Sequence, residues 1–178
     1  MDANKHKNSG RPLWAPWRIE YILSSKDKEC FLCGREKPNN SRKDDFMVVA
    51  RGDYSFVMLN AFPYNPGHLL ISPYQHVGDI LAIDKKVLCE MTDLLVKTIK
   101  ALKKMMNPEG FNVGYNLGLP AGAGLEEHLH MHVVPRWTGD TNYMPVIGKT
   151  RVVPQALEDT AEIIKRAINV RGKKCLRK

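Results

Sequence analysis

The stretch from His128 to Val134 alternates imidazole with apolar side chains, reading His-Leu-His-Met-His-Val-Val. Successive side chains of a β-strand face opposite sides, so this period of two predicts a strand. The three histidines would share one face, about 6.7 Å between next neighbours, and Leu129, Met131 and Val133 would pack on a core. Three of the chain's six histidines lie here. Because each buried imidazole needs hydrogen-bond partners, the row predicts a functional site.

Two kinds of site are open for this histidine row. It can bind a metal, or it can supply a nucleophile with partners that fix its tautomer. The preceding segment, Gly118 to Gly124, is rich in glycine, and its backbone N–H groups could cradle phosphate oxygens. It is no Walker loop, because no Gly-Lys-Ser/Thr ends it. The combination favours a phosphate held beside a nucleophilic imidazole.

The rest of the chain predicts a small α+β domain. Residues 1–12 read as a disordered tail, 13–170 as a single domain, and 171–178 as a basic tail. Apolar runs predict five strands, at residues 46–50, 55–60, 67–72, 111–116 and 128–134. One long helix is predicted from Asp84, a plausible N-cap, to about Met106, with apolar residues at positions 88, 91, 95, 99, 102 and 106, and a closing helix at 155–169. This order predicts an antiparallel sheet with helices packed on it.

The composition indicates the class of protein, its compartment and its partners. The 178 residues are 43% hydrophobic and 26% charged, as in soluble globular proteins. No run approaches the roughly eighteen apolar residues of a membrane span, and the N-terminus lacks a signal-peptide pattern. We therefore expect a cytoplasmic protein with no membrane partner. The net charge of +8 leaves two interpretations open, a solvated basic tail or attraction of nucleotides or nucleic acid. Because no nucleic-acid-binding motif is visible, we expect no specific nucleic-acid partner.

The four cysteines do not form a disulfide framework of a secreted protein, since they are few and unevenly spaced. In a reducing compartment, the pair Cys30 and Cys33 indicates either a metal site or a redox motif. Thioredoxin-like chemistry expects a βαβ context, which this sequence lacks. Tetrahedral zinc would need two further ligands.

These motifs resemble those of the histidine triad (HIT) superfamily of nucleotide hydrolases and transferases. The row from His128 to Val134 resembles its signature, and Leu59 to His68 resembles its Asn…Pro-Gly-His segment; the similarity spans about residues 46–147. More narrowly, the continuation 135–142, the Leu-Trp-x-Pro-x-Arg stretch from Leu13 and Val-Val-Pro-Gln at 152–155 resemble bacterial diadenosine tetraphosphate phosphorylases. The resemblance implies a HIT-like fold and a homodimer.

Carried over to this chain, the resemblance implies a role for each polar residue of the site. His130 would attack the α-phosphate and form a covalent nucleotidyl-imidazole. His132 would hydrogen-bond phosphate oxygens or the leaving group, and His68 would assist at the same phosphate. The implied substrate-binding residues are Asn60 at the ribose, and His132, Asn116 and the backbone around Gly124 and Leu125 at the phosphate.

The resemblance also implies a structural zinc ion. Zinc-carrying relatives combine a Cys-x-x-Cys pair with a strand-end histidine and the first triad histidine. The corresponding ligands here are Cys30, Cys33, His76 and His128, and the ion would anchor the segment 28–36 to the catalytic strand. In zinc-free relatives the first triad histidine belongs to a hydrogen-bond relay instead, so both roles stay open for His128.

The resulting expectation is a cytoplasmic nucleotide-processing enzyme. The favoured reaction is cleavage of diadenosine tetraphosphate by inorganic phosphate to ATP and ADP. Hydrolysis of dinucleoside polyphosphates or of nucleoside phosphoramidates is the alternative within the enzyme class. A nucleotide-binding regulatory module is the alternative outside it. The choice between phosphate and water as acceptor depends on small geometric differences around one phosphorus.

Overall fold

The computed structural model describes residues 30–39, 41–140 and 157–168. Its strands are β1 (Val48–Arg51), β2 (Ser55–Leu59), β3 (Leu69–Pro73), β4 (Gly110–Tyr115) and β5 (Met131–Arg136), and its helices are α1 (Lys85–Met106) and α2 (Leu157–Ile168). Short 3₁₀ turns occur at Asp45–Met47, Ile80–Ala82 and Leu119–Ala121. The predicted α+β class, with one long helix and a later helix, is confirmed.

The five strands form one antiparallel sheet in the order β1-β2-β3-β5-β4. The first three strands follow one another as a meander. The chain then leaves through α1, adds β4, and returns with β5 between β3 and β4. Because β5 is an interior strand of this sheet, the histidine row enters the middle of the molecule.

Each face of the sheet packs against different elements. On one face, alternate residues of the central strands meet α1 and α2 in the main core, among them Val57, Ile71, Met131 and Val133. On the other face, a smaller apolar cluster joins Leu32 to Val48, Phe56, Met58 and Leu70. The strands β2 and β3 are buried along their whole length for this reason. His132, which pairs with Leu70 across the sheet, lies on the side of the smaller cluster.

Helix α1 begins after Asp84, at the position that the sequence predicts. The Asp84 carboxylate makes no capping hydrogen bond and instead pairs with Lys86 at 3.3 Å. The buried stripe differs from the predicted one, because it runs through Val87, Met91, Leu94, Thr98, Ala101 and Leu102. Of the predicted positions, 88, 95, 99 and 106 are partly buried at the flank of the core. The helix ends at Asn107, whose φ of 45° is left-handed.

The predicted strand 128–134 is wrong at its start, because β5 begins at Met131. The backbone of Leu129 explains the difference. Its N–H donates to the Val77 carbonyl at 2.7 Å, and its carbonyl accepts from the Ser72 hydroxyl at 2.8 Å. These partners replace the regular ladder, so His128 and His130 precede the strand and only His132 lies within it.

Several predictions concern residues outside the described part of the chain. They are the tails at 1–12 and 171–178, the aromatic-rich stretch from Leu13, and the segment at 152–155. The domain limits of 13–170 therefore stay a prediction. Among the described residues, no helix is long and apolar enough to cross a membrane.

Candidate functional site

His130 has a fixed tautomer. Its Nδ1 lies 2.8 Å from the backbone oxygen of His128. A carbonyl oxygen only accepts, so Nδ1 carries the proton and Nε2 keeps its lone pair. The residue is only 8% exposed, and burial lowers its pKa below the usual range. At neutral pH, His130 is therefore an uncharged imidazole with a nucleophilic Nε2.

His132 has the opposite tautomer, set by a chain of hydrogen bonds. The Tyr64 backbone N–H donates to His68 Nδ1 at 3.0 Å, which leaves the ring proton of neutral His68 on Nε2. That Nε2–H donates to His132 Nδ1 at 3.0 Å. Neutral His132 therefore carries its proton on Nε2, and burial lowers its pKa to about 4. His132 is a neutral hydrogen-bond donor beside the neutral imidazole of His130.

His68 lies too deep for the direct contact with a phosphate that the resemblance implies. It is fully buried and reaches the open part of the site only through His132. The Tyr64 ring covers both imidazoles, with ring centroids 4.8 Å from His68 and 6.0 Å from His132. The amide nitrogen of Asn60 lies 3.3 Å from His68 Nδ1, which agrees with an unprotonated Nδ1.

His130 and His132 border a cavity of about 320 Å³. Its walls are mainly apolar and include Phe31, Met47, Met58, Phe62, Leu70 and Leu125. Three of its lining residues form a row across the sheet, in which Met58 faces Leu70 and Leu70 faces His132. An apolar cavity that ends at two differently protonated imidazoles is suited to a ligand with one flat apolar part and one charged part.

Three of the four predicted substrate-binding residues besides His132 line this cavity, namely Asn60, Gly124 and Leu125. Asn116 lines an adjoining polar groove that also contains His132 and Arg136. Its amide reaches the Gly122 carbonyl at 3.5 Å. Fewer backbone N–H groups of the glycine-rich segment are available to a phosphate than the sequence predicts. Those at positions 121, 122 and 123 donate to carbonyls within the loop.

The turn after β3 fixes the loop that precedes the histidine row. A Cβ on Gly78 would lie 2.0 Å from the Glu126 backbone oxygen, so only glycine permits this approach. The adjacent Val77 carbonyl accepts the Leu129 N–H. The turn and the entry to β5 are therefore held together backbone to backbone.

A second connection holds the Asn60–His68 segment against the end of β5. Asn65 donates through its amide to the Pro135 carbonyl at 3.0 Å and to Asp140 at 2.7 Å. Arg136 donates to both Asp140 carboxylate oxygens, at 2.6 and 2.8 Å. These residues position His68 and His132 relative to each other. No local pattern in the sequence pairs Asn65 with Asp140, because the two residues lie 75 positions apart.

The four predicted metal ligands come together. Their donor atoms, from Cys30, Cys33, His76 and His128, lie within 4.8 Å of one another. Sulfur-to-nitrogen distances are 3.3 Å for Cys30–His128, 3.3 Å for Cys33–His76 and 3.6 Å for Cys33–His128. Tetrahedral zinc, with its usual bond lengths, separates sulfur and nitrogen ligands by about 3.6 Å. The donor set and its spacing fit zinc.

The tautomer of His128 also suits a metal ligand. Its Nε2–H donates to the Pro73 carbonyl at 2.9 Å, so Nδ1, the nitrogen that faces the thiols, keeps its lone pair. Burial, and next the neighbouring Cys30, raise the pKa of the Cys33 thiol to about 11. A cation would oppose that shift, because metals bind thiolates.

The sequence comparisons agree with this geometry. The model of the HIT domain matches residues 41–139. The chain belongs to the HIT family. An AP-4-A phosphorylase of Mycobacterium tuberculosis is 38% identical over 165 residues, covering 85% of this chain and 81% of that protein.

Solved structures of HIT proteins share the fold. A Hit-like protein from Bartonella henselae has a TM-score of 0.57 at 25% identity, covering 68% of this chain and 85% of its own. A hypothetical histidine triad nucleotide-binding protein from Sulfolobus tokodaii has the same TM-score and identity, covering 68% of this chain and 83% of its own.

Proposed function

We propose that this HIT protein cleaves diadenosine tetraphosphate with inorganic phosphate, giving ATP and ADP through a nucleotidyl-His130 intermediate. The observation that carries the proposal is the pair of opposite tautomers at one end of the cavity: a lone pair on His130 Nε2 beside an N–H on His132. The name of the M. tuberculosis relative, AP-4-A phosphorylase, supports the same substrate.

In the first step His130 Nε2 attacks the α-phosphorus, and the bond from that phosphorus to the bridging oxygen of ATP breaks. His132 donates a hydrogen bond through Nε2–H to the departing oxygen and keeps its proton. The imidazole ring of His130 gains positive charge, which its Nδ1–H bond to the His128 carbonyl stabilises. In the second step an oxygen of inorganic phosphate attacks the same phosphorus. The phosphorus–nitrogen bond breaks, ADP leaves, and His130 is neutral again.

The hydrogen-bond donors around the phosphate would stabilise the negative charge of the transition state. The transition state spreads negative charge over the equatorial oxygens, so pre-aimed N–H groups contribute much of the catalysis. We assign this role to the backbone at Gly124 and Leu125 and to the Asn116 amide. Asn60 would hold the ribose, and the apolar walls would enclose the base.

We assign structural zinc to Cys30, Cys33, His76 and His128. Bound there, the ion would keep the thiols deprotonated and link the N-terminal segment to the entry of β5. The hydrogen bond from His128 to Pro73 supports the ligand role over a relay to the nucleophile. Four protein ligands leave zinc no open position for substrate, so the reaction steps belong to the histidines.

We also infer a cytoplasmic homodimer, as the family resemblance implies. Within the described sheet β4 is an edge strand with exposed Val113, and proteins usually cover such edges. The molar mass of the purified protein, measured by light scattering, checks this inference. A mass of two chains would support the dimer, and a mass of one chain would contradict it.

The reaction is tested by incubating the protein with diadenosine tetraphosphate, with and without inorganic phosphate, and identifying the products. We expect ATP and ADP, formed only when phosphate is present. AMP and ATP formed without phosphate would show a hydrolase instead. Tight nucleotide binding with no cleavage in either condition would favour a regulatory binding module.

His68 is assigned a positioning role, since it fixes the tautomer of His132. Replacing His68 by leucine should lower kcat for diadenosine tetraphosphate by about a hundredfold, as expected when an aimed hydrogen-bond donor at the leaving group is lost. Glutamine at position 68 keeps an N–H for His132 Nδ1 and should restore part of the rate.

A substrate with a better leaving group separates this role from a general structural one. The p-nitrophenyl ester of AMP releases an anion whose charge is delocalised over the ring, so its departure needs little help from a hydrogen bond. Its cleavage rate should change little between wild type and His68→Leu. An equal loss with both substrates would refute the positioning role.

A further inference from the structure

We propose that Asp44 reads the base of the nucleotide, accepting a hydrogen bond from an exocyclic amino group and so selecting adenine over hypoxanthine. The inference rests on the proposed function, because it assumes that the nucleoside occupies the cavity with its phosphate at His130. It adds a determinant of specificity that lies far from the histidines in the sequence.

The position of Asp44 follows from the register of the sheet. The residue precedes the 3₁₀ turn Asp45–Met47 that leads into β1, and it lines the cavity. A row of lining residues runs from Met58 in β2 through Leu70 to His132 in β5, over two strand spacings, which is about 9.5 Å. Asp44 and Met47, which also line the cavity, precede β1, the strand next to β2. An extended purine nucleoside monophosphate is at least as long as this row. With the phosphate at the histidines, the outer edge of the base reaches the β1 end.

The surroundings of Asp44 suit a base edge. Phe31, Met47 and Met58 supply apolar walls to the same cavity. Such walls favour any purine, because adenine and hypoxanthine have nearly the same shape. Discrimination between them therefore requires a polar group. The other polar side chains that line the cavity, such as Asn60, belong to segments that join the histidine end.

The charge of Asp44 is fixed by two arginines. Fully buried Arg35 donates to both carboxylate oxygens, at 3.1 and 2.5 Å, and Arg42 lies 3.4 Å from one of them. The hydrogen bonds from Arg35 hold the pKa of the carboxyl below its usual range. An ionised carboxylate only accepts hydrogen bonds, and the side chain remains 37% exposed. It can accept from the amino group at C6 of adenine and would repel the carbonyl at C6 of hypoxanthine.

The test measures binding of AMP and of IMP to the wild-type protein and to Asp44→Asn. The wild type should bind IMP at least about tenfold more weakly than AMP, the lower end for a hydrogen bond to a charged group. Asparagine presents an N–H₂ donor as well as an acceptor, so Asp44→Asn should lose or reverse the preference. The matched control is Asp45→Asn, which removes a neighbouring carboxylate paired with Arg51 at 2.8 Å and should keep the preference.

The outcomes separate this inference from the proposed function. If the wild type binds neither nucleotide, the proposed function fails. If it binds both equally well, or if Asp44→Asn keeps the wild-type preference, only the role of Asp44 is overturned. Should Asp44→Asn fail to fold because Arg35 loses its partner, wild-type binding of purine riboside monophosphate decides. This nucleotide has no substituent at C6, and its affinity should fall between those of AMP and IMP; an affinity equal to that of AMP would refute the proposal.

Discussion

Replacing His130 by alanine should lower kcat for diadenosine tetraphosphate by at least about a thousandfold, the scale of losses for catalytic nucleophiles. The Kd for AMP should change little, because the base and ribose keep their contacts in the cavity. The physical reason is that, of the three triad imidazoles, His128 has its lone pair at the thiols and neutral His132 has its Nε2 protonated, which leaves His130 Nε2 as the lone pair available to the proposed phosphate. Initial rates and equilibrium binding of AMP measure the two effects separately.

A trapped intermediate provides the control for this prediction. Wild-type protein mixed with diadenosine tetraphosphate in the absence of phosphate, and then quenched, should gain the mass of one adenylyl group. The matched variant His132→Gln keeps the nucleophile and an N–H donor, so it should still form the adduct. An adduct that persists in His130→Ala would place the covalent bond on another residue and refute the assignment.

Removing the proposed zinc ion should produce the largest change in stability. A ligand at a thousandfold excess over its Kd stabilises the native state by about 4 kcal/mol. For a chain of this size that corresponds to a Tm change of roughly 10 °C. We expect elemental analysis to find one zinc ion per chain, and chelation or Cys33→Ser to lower the Tm by about that amount. Without the metal, the segment around Cys30 keeps its apolar contacts with the smaller cluster and the hydrogen bonds of Arg35 with Asp44 and of Arg42 with the Cys33 carbonyl, but loses the link to His76 and His128.

Cys89 provides the matched control for the metal prediction. It is a free cysteine on α1, outside the cluster of metal ligands. Cys89→Ser should keep the full zinc content and nearly the wild-type Tm. A wild-type protein without zinc, or a Cys33→Ser variant with the same zinc content and Tm, would rule out the four-ligand site.

The features predicted correctly from the sequence depend on local pattern or on strong motifs. The period of two placed Met131 and Val133 in the core, because strand geometry alone determines that alternation. The four proposed metal ligands followed from family resemblance, and their donor atoms do converge. The long helix was correct in extent, but its buried stripe was rotated, since the packing of α2 and the sheet decides which side faces inward.

The remaining features depend on contacts between distant segments. The alternation continues through His128 and His130, yet the strand does not, because Ser72 and Val77 take the backbone groups of Leu129. His68 was recognisable as a site residue, but its depth behind His132 was not. The sequence does not reveal the cavity walls, because Met58 and Leu70 cannot be distinguished from ordinary core residues of a strand.

The register between β3 and β5 links folding to chemistry. Leu70 faces His132, while the neighbouring pairs, Leu69 with Val133 and Ile71 with Met131, are buried in the main core. A slip of one residue would turn His132 into that core and push Met131 and Val133 out of it, at a cost in both desolvation and lost apolar burial. The free-energy cost of a slip therefore favours the one register that presents the His132 imidazole to the cavity. The same buried contacts that stabilise the protein also disfavour misaligned forms in which His132 would not reach the cavity.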